Sequence, residues 1–344
     1  MRTDAPPSPL RLAMLGMVEG NGHPYSWSAI FNGYDRVAMA ACPYPVIPEY
    51  LGRQPETAFP MPGARVTHVW TDDPADAEEV ARCARIPNVA GSATDVIDEV
   101  DAVIIATDRG DEHVARCRPF IEAGLPVFVD KPLVDRAEDL EVFREWIARG
   151  ARVLSSSCMR YAREFVPYHR RPGGGAGEGG NRPASGGGRR LAASAADGRA
   201  ALGELRYASI SMCKSWERYG IHALEAIYPI TGPGFLSCRN TGSAGRDVVH
   251  LKHRDGTDAS IGVHRDAAGA FGSLQLCGTE GAAQLRMTDT FAAFHAQLAD
   301  LVRWLQSGTP PFPFAETEEL MKLVIAAIVS RNEGGREVQL REVA

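Results

Sequence analysis

Residues 11–155 alternate short apolar runs with stretches of helical periodicity, and no other feature limits the possible folds as strongly. The apolar runs are "RLAML" (11–15), "RVTHVW" (65–70), "AVIIAT" (102–107), "PVFVD" (126–130) and "RVLSS" (152–156). Between the later runs lie "ADAEEVARCARI", "DEHVARCRPFIEAG" and "RAEDLEVFREWIARG". Strands this uniformly apolar are buried on both faces, which requires helices on both sides of a parallel sheet. In the last helical stretch Leu140, Phe143 and Ile147 recur at helical spacing, and Gly150 stops it. The pattern predicts a doubly wound α/β (Rossmann) domain over residues 1–155.

At 344 residues the chain has material for a second core. Downstream, "LRYASISM", "VVHLKH", "ASIGVHR" and "GSLQLCG" read as strands of one open, mostly antiparallel sheet. Two helical stretches follow, "TFAAFHAQLADLVRWLQSG" and "TEELMKLVIAAIVSRNEGG", the second ending at Gly334. Residues 156–344 are therefore expected to form an α+β domain with an open sheet. Two segments interrupt the scheme. The Pro-rich stretch 42–62 is expected to hold neither helix nor central strand and to lie over the pocket mouth or a subunit contact. The Gly/Ala/Arg-rich stretch 171–203 has too few large apolar groups to offset ordering entropy and is expected to be mobile.

Charge and cysteine usage exclude several classes. A net charge of −6 gives no electrostatic footprint for nucleic acid or an anionic membrane. The longest apolar runs, such as "LVIAAIV", cannot span a bilayer, and the N-terminus lacks the apolar core of a signal peptide, so a cytoplasmic location is expected. Seven cysteines with no C-x-x-C pair fit reduced thiols, and the histidines form no metal-ligand spacing. No metal site is expected.

The stretch "VDAVIIATDRGDEHVARCRPFIEAGLPVFVDKPLV" (100–134) resembles the central signature of the Gfo/Idh/MocA oxidoreductases. "GIHALEAIYPITG" (220–232), "CGTEGAAQL" (277–285) and residues 294–331 are similar to that family's later segments. The resemblance implies hydride transfer between NAD(P) and a hydroxyl-bearing carbon of a sugar, nucleotide-sugar or cyclitol, with residues 156–344 as the substrate and oligomerisation domain, and a homodimer or homotetramer. The alternative on the same fold is a non-catalytic dinucleotide-binding regulator or assembly partner.

Oxidising a secondary alcohol needs a hydride acceptor, a group that takes the hydroxyl proton and a cation beside the developing alkoxide. Lys131 in "VDKPL" follows an apolar strand, at the sheet edge where ligands bind, and suits the cation. His222 in "YGIHALEAIY" opens a helical pattern and suits the base. The resemblance implies an aspartate four residues before that histidine, where this chain has Arg218; Tyr219 is a candidate substitute. Arg218 and Lys214 are candidates to bind an anionic substrate group. The family register also puts Arg160 at the pocket.

For the cofactor, Gly16 follows the first strand as a phosphate-cradling glycine should. The spacing to Gly20 and Gly22 departs from G-x-G-x-x-G, which reads as a modified cradle. Asp72, near the end of the second strand, is the candidate clamp for the adenine ribose and favours NAD over NADP. Asp73 is expected to cap the following helix, with Pro74 at its first position. Thr107 completes the cofactor set at the exit of the 102–107 strand. Asp108 stands where the family often has proline.

Overall fold

The computed structural model describes residues 8–170, 198–267, 269 and 271–343. Most of the 171–203 stretch lies outside the described residues; within it, Ala200–Leu202 form one short 3-10 turn.

The first sheet holds β1 (Leu10–Leu15), β2 (Ala64–Trp70), β3 (Asn88–Val89), β4 (Ala102–Ile105), β5 (Val127–Val129) and β6 (Val153–Ser155). Their order is β3-β2-β1-β4-β5-β6, with every pairing parallel. Strand order reverses between β1 and β4, the switch point at which such sheets open a crevice at their carboxyl edge. Helices α1 (His23–Asn32), α4 (Pro74–Ala84), α5 (His113–Glu122) and α6 (Ala137–Ala148) cover the faces; α2 (Arg36–Ala40) and α3 (Val46–Gly52) lie in the connection to β2. In α1 every residue from Pro24 to Asn32 is buried, so it needs no polar stripe. As expected, the Asp73 carboxylate caps α4 by accepting from the Ala75 N–H at 2.9 Å.

The helix α3 corrects the reading of 42–62 as free of helix. Pro48 is its third residue, where the backbone N–H would have no intrahelical partner. The segment lies over α1: Tyr50 hydrogen-bonds Ser26, and its ring approaches Phe294.

The second sheet holds β7 (Leu205–Cys213), β8 (Phe235–Asn240), β9 (Arg246–His253), β10 (Asp258–His264), β11 (Leu274–Gly278), β12 (Ala282–Leu285) and β13 (Val338–Gln339). The order is β12-β11-β7-β10-β9-β8-β13. It is antiparallel except for β7 and β10, which pair in parallel. The exception follows from connectivity: α7 (Ile221–Thr231) carries the chain across to β8, and two reversals return β10 to the direction of β7. Helix α8 (Thr290–Ser307) reaches back to pack on α1 and α3, and α9 (Phe314–Asn332) covers β8. No helix among the described residues is long and apolar enough to cross a membrane.

Candidate active site

The first sheet delivers its polar residues to one edge. Beyond β1 lies the glycine turn, beyond β2 Thr71 and Asp72, beyond β4 Thr107 and Asp108, and beyond β5 Asp130 and Lys131. Gly16 has φ +83°, and a Cβ there would lie 2.7 Å from Thr107 Cγ2, so no other residue fits. Gly22 is small for a different reason: a Cβ there would lie 2.5 Å from Ile47 Cδ1 and 2.8 Å from the Tyr44 ring, both in the Pro-rich segment. Gly20, at φ +79°, instead faces the ends of Lys214 and Arg218, which lie 3.8 Å from its ideal Cβ. Asn21 locks the turn. Its side chain donates to the Ala106 carbonyl at 3.1 Å and to Asp130 at 2.8 Å, and accepts from His23 N–H at 3.1 Å.

Lys131 and His222 converge. The Lys131 ammonium lies 5.6 Å from the centre of the Tyr219 ring, and the His222 ring lies 4.8 Å from it on centroids. Both basic groups are almost wholly buried, although 91 positions separate them. The residues Trp216–Gly220 form a single π-helical turn that leads into α7. Trp216 donates its indole N–H to the Val324 carbonyl at 2.9 Å, and its ring lies 2.7 Å from where a Gly220 Cβ would stand. Glycine at 220 therefore lets the turn close and brings Tyr219 and His222 to the crevice.

Asp108 ties the cluster together. It is buried, with Lys131 Nζ at 3.3 Å, and it accepts from Arg218 Nη2 at 2.7 Å and Nε at 3.0 Å. Arg218 and Lys214 reach the glycine turn rather than a deeper pocket: Arg218 Nη2 donates to the Glu19 carbonyl at 3.1 Å and Lys214 Nζ to the Gly20 carbonyl at 2.9 Å. Arg160, expected at the pocket, is committed elsewhere. Glu225 and Glu316 take its guanidinium, which also lies 4.0 Å from the Phe312 ring centre. Its contribution to the site is indirect, because Glu225 also accepts from the Ser157 N–H, and Ser157 Oγ is 2.6 Å from His222 Nδ1. At the far end of the crevice Asp72 is 52% exposed and paired with Arg116 at 3.0 Å, so its carboxylate is shared rather than free.

Residues 48–156 match the model of an oxidoreductase family with an NAD-binding Rossmann fold. An inositol 2-dehydrogenase of Rhodococcus erythropolis is 36% identical over 101 residues, which span 28% of this chain and 29% of that protein. In fold the chain is similar to myo-inositol 2-dehydrogenase from Lactobacillus plantarum, at 16% identity and a TM-score of 0.68 over 96% of this chain and 99% of that one. It is also similar to scyllo-inositol dehydrogenase from Lactobacillus casei, solved with NAD(H) and scyllo-inositol, at 13% identity and a TM-score of 0.67 over 97% and 100% of the two chains. Residues 48–156 are thus similar to the NAD-binding domain of the Gfo/Idh/MocA oxidoreductases, and over nearly its whole length the chain shares the fold of these dehydrogenases.

Within this framework the charge states follow from burial and neighbours. Burial works against the Lys131 ammonium, but Asp130 and Asp108 outweigh it and its pKa lies above the ordinary lysine value. Burial, reinforced by Lys131, His23 and Lys214, holds His222 well below its ordinary value, so the imidazole is neutral near pH 7. Burial would raise the Asp130 pKa, but His23 and Lys131 hold it below the usual carboxylate value. The residues present fit a dinucleotide: glycines at 16 and 20, both with positive φ, keep side chains off those positions of the turn beyond β1, and Asp72 and Lys131 stand on either side of that turn along the strand edge. Sequence reasoning missed Asn21, Asp130 and Ser157 as site residues. Asp130 was findable, since it precedes Lys131 at a strand end; nothing local marks Ser157.

Proposed function

We propose that this chain is an NAD-dependent dehydrogenase acting on a secondary hydroxyl of a cyclitol or related polyol. Sugars and nucleotide-sugars are the wider substrate class. The observation that carries the reading is the meeting of a charged lysine and a neutral histidine around Tyr219 at the carboxyl edge of the sheet. The likeness to inositol dehydrogenases narrows the substrate class.

When bound, the dinucleotide supplies the hydride acceptor. Gly16, Gly20, Gly22, Asp72, Thr107 and Lys131 would hold it, with Asp72 favouring the free ribose hydroxyls of NAD. The neutral His222 takes the proton from the substrate hydroxyl. Ser157, whose Oγ lies 2.6 Å from Nδ1, orients the ring. The Lys131 ammonium steadies the negative charge that develops on the substrate oxygen, while Asp108 and Asp130 fix where that ammonium points. Tyr219 forms the wall between the two groups.

The test is a screen of cyclitols, sugars and nucleotide-sugars with NAD, followed by the absorbance of reduced cofactor. Lys131→Met and His222→Asn should each lower kcat by about 100-fold or more, a size typical of lost acid–base or electrostatic catalysis. NAD binding without turnover of any polyol would refute the dehydrogenase and leave the regulator reading. Unchanged turnover in either variant would remove that residue from the mechanism.

A further inference from the structure

We infer that Lys214 and Arg218, carried by the second sheet's half of the molecule, form a cationic clamp that closes on phosphate oxygens of the dinucleotide above Gly20. The inference rests on the proposed dinucleotide crevice and goes beyond it, because neither residue belongs to the strand-end cradle.

Three observations converge on these residues. The first is conformational. Lys214 has φ +65°, and among the described residues only it and Arg85 are non-glycines with positive φ. Arg85 is a helix C-cap, an ordinary place for that geometry. Lys214 has no such excuse: it joins β7 to the π-helical turn, and left-handed backbone is costly for a lysine. What the strained conformation secures is the aim of the side chain, which runs across the Tyr219 ring at 4.5 Å to the Gly20 carbonyl.

The second observation is the balance of partners. Lys131 and Arg218 are each paired with buried Asp108. Lys214 has no carboxylate partner among the described residues. Its one hydrogen bond, to the Gly20 carbonyl, leaves two of an ammonium's three donors unused. Arg218 spends Nε and Nη2 on Asp108 and Glu19, whereas Nη1 makes no hydrogen bond to the described residues. The unused donors of both residues therefore point into the same space.

The third observation is where that space lies. Lys214 Nζ and Arg218 Nη2 are 3.8 Å from the ideal Cβ position of Gly20, and Arg218 Nη1 is 3.9 Å from it. Dinucleotide phosphates rest over such a turn in a doubly wound sheet. The altered glycine spacing weakens a purely backbone cradle, and two cations from across the crevice offset that loss. On the side of the turn their present partners are the Gly20 and Glu19 carbonyl oxygens, and an anionic phosphate oxygen is a better acceptor for the Lys214 ammonium and for the Arg218 edge not held by Asp108. A phosphate or carboxylate on the substrate would be the same chemistry from another source. The position over Gly20, at the turn rather than beside His222, favours the dinucleotide.

The experiment is calorimetric titration of the full chain with NAD, ADP-ribose and adenosine at several salt concentrations. The variants are Lys214→Met, Lys214→Gly and Lys214→Arg. Losing a charge-assisted bond to phosphate should weaken NAD and ADP-ribose about tenfold or more in the Met and Gly variants and flatten the salt dependence. Adenosine should bind the Met and Gly variants as it binds wild type, and Lys214→Arg should restore most of the affinity. Lys214→Gly should also melt higher than wild type, because glycine relieves the positive φ, so a loss of affinity there cannot be ascribed to unfolding. Equal affinities of wild type, Met and Gly variants for NAD would overturn the clamp while leaving the dinucleotide site intact. A rise in KM confined to a phosphorylated substrate would overturn it in favour of a substrate anion site. Failure of wild type to bind NAD at all would overturn the clamp and the proposed function together.

Discussion

Replacing Asp108 by Asn removes one charge from the buried centre of the site while nearly preserving the shape of the side chain. The Asp108 side chain is 2% exposed, with Lys131 Nζ at 3.3 Å and Arg218 Nη2 at 2.7 Å. Removing one member of a buried ion pair costs about 3–5 kcal/mol, because the remaining charge stays buried without its partner. Two features place this variant at the lower end. Asp130 still lies 4.0 Å from Lys131, and Arg218 is 28% exposed, so water takes over part of its solvation. The expected loss is about 3 kcal/mol. An internal control exists on the surface, where Asp101 and Arg11 pair at 3.0 Å with side chains 37% and 48% exposed. An exposed pair contributes about 1 kcal/mol or less, so Asp101→Asn should cost at most that. Urea unfolding followed by circular dichroism and tryptophan fluorescence compares the two variants under the same conditions. Adding Arg218→Leu to Asp108→Asn should recover part of the loss, since it removes a cation left without its carboxylate. Equal destabilisation by Asp108→Asn and Asp101→Asn, within about 0.5 kcal/mol, would refute the burial argument. So would a double variant no better than the single one.

Ser157→Ala removes the group 2.6 Å from His222 Nδ1, and kcat should fall about 10-fold or more while NAD affinity holds, as expected when an orienting partner is lost; steady-state kinetics beside an NAD titration separates the two. A pH effect follows from His169, whose pKa burial, helped by Arg160, lowers to about 4. The folded state binds its proton less readily than the unfolded chain, so this contribution is complete above about pH 6.5 and is lost as pH falls. At pH 5 the loss is about 2 kcal/mol. His169→Asn should therefore lose about 2 kcal/mol less than wild type between pH 7.5 and pH 5 in urea titrations; an identical pH dependence would show that His169 is as easily protonated when folded as when unfolded.

Much of this protein is legible along the chain. Apolar runs between helical patterns mark β1, β2, β4, β5 and β6, because a strand buried on both faces leaves a local signature that needs no knowledge of its neighbours. The same logic puts Lys131 at a ligand-binding edge, since a polar residue just beyond such a strand has nowhere else to go. The short strands β3 and β13 escape notice because two residues carry no periodicity, and α3 was masked by prolines that its first turn tolerates. The charge pattern of the site belongs to the tertiary structure. Arg160 reads as a pocket residue from its register, yet Glu225 and Glu316, 65 and 156 positions away, engage its guanidinium. Asp108 and Arg218 read as two separate departures from a family pattern and are one ion pair spanning 110 positions. Side-chain periodicity reports burial, which each segment settles for itself. Which charge meets which is settled only when distant segments are brought within a few ångströms and the water between them is removed, and that is the step that determines the protonation of Lys131 and His222.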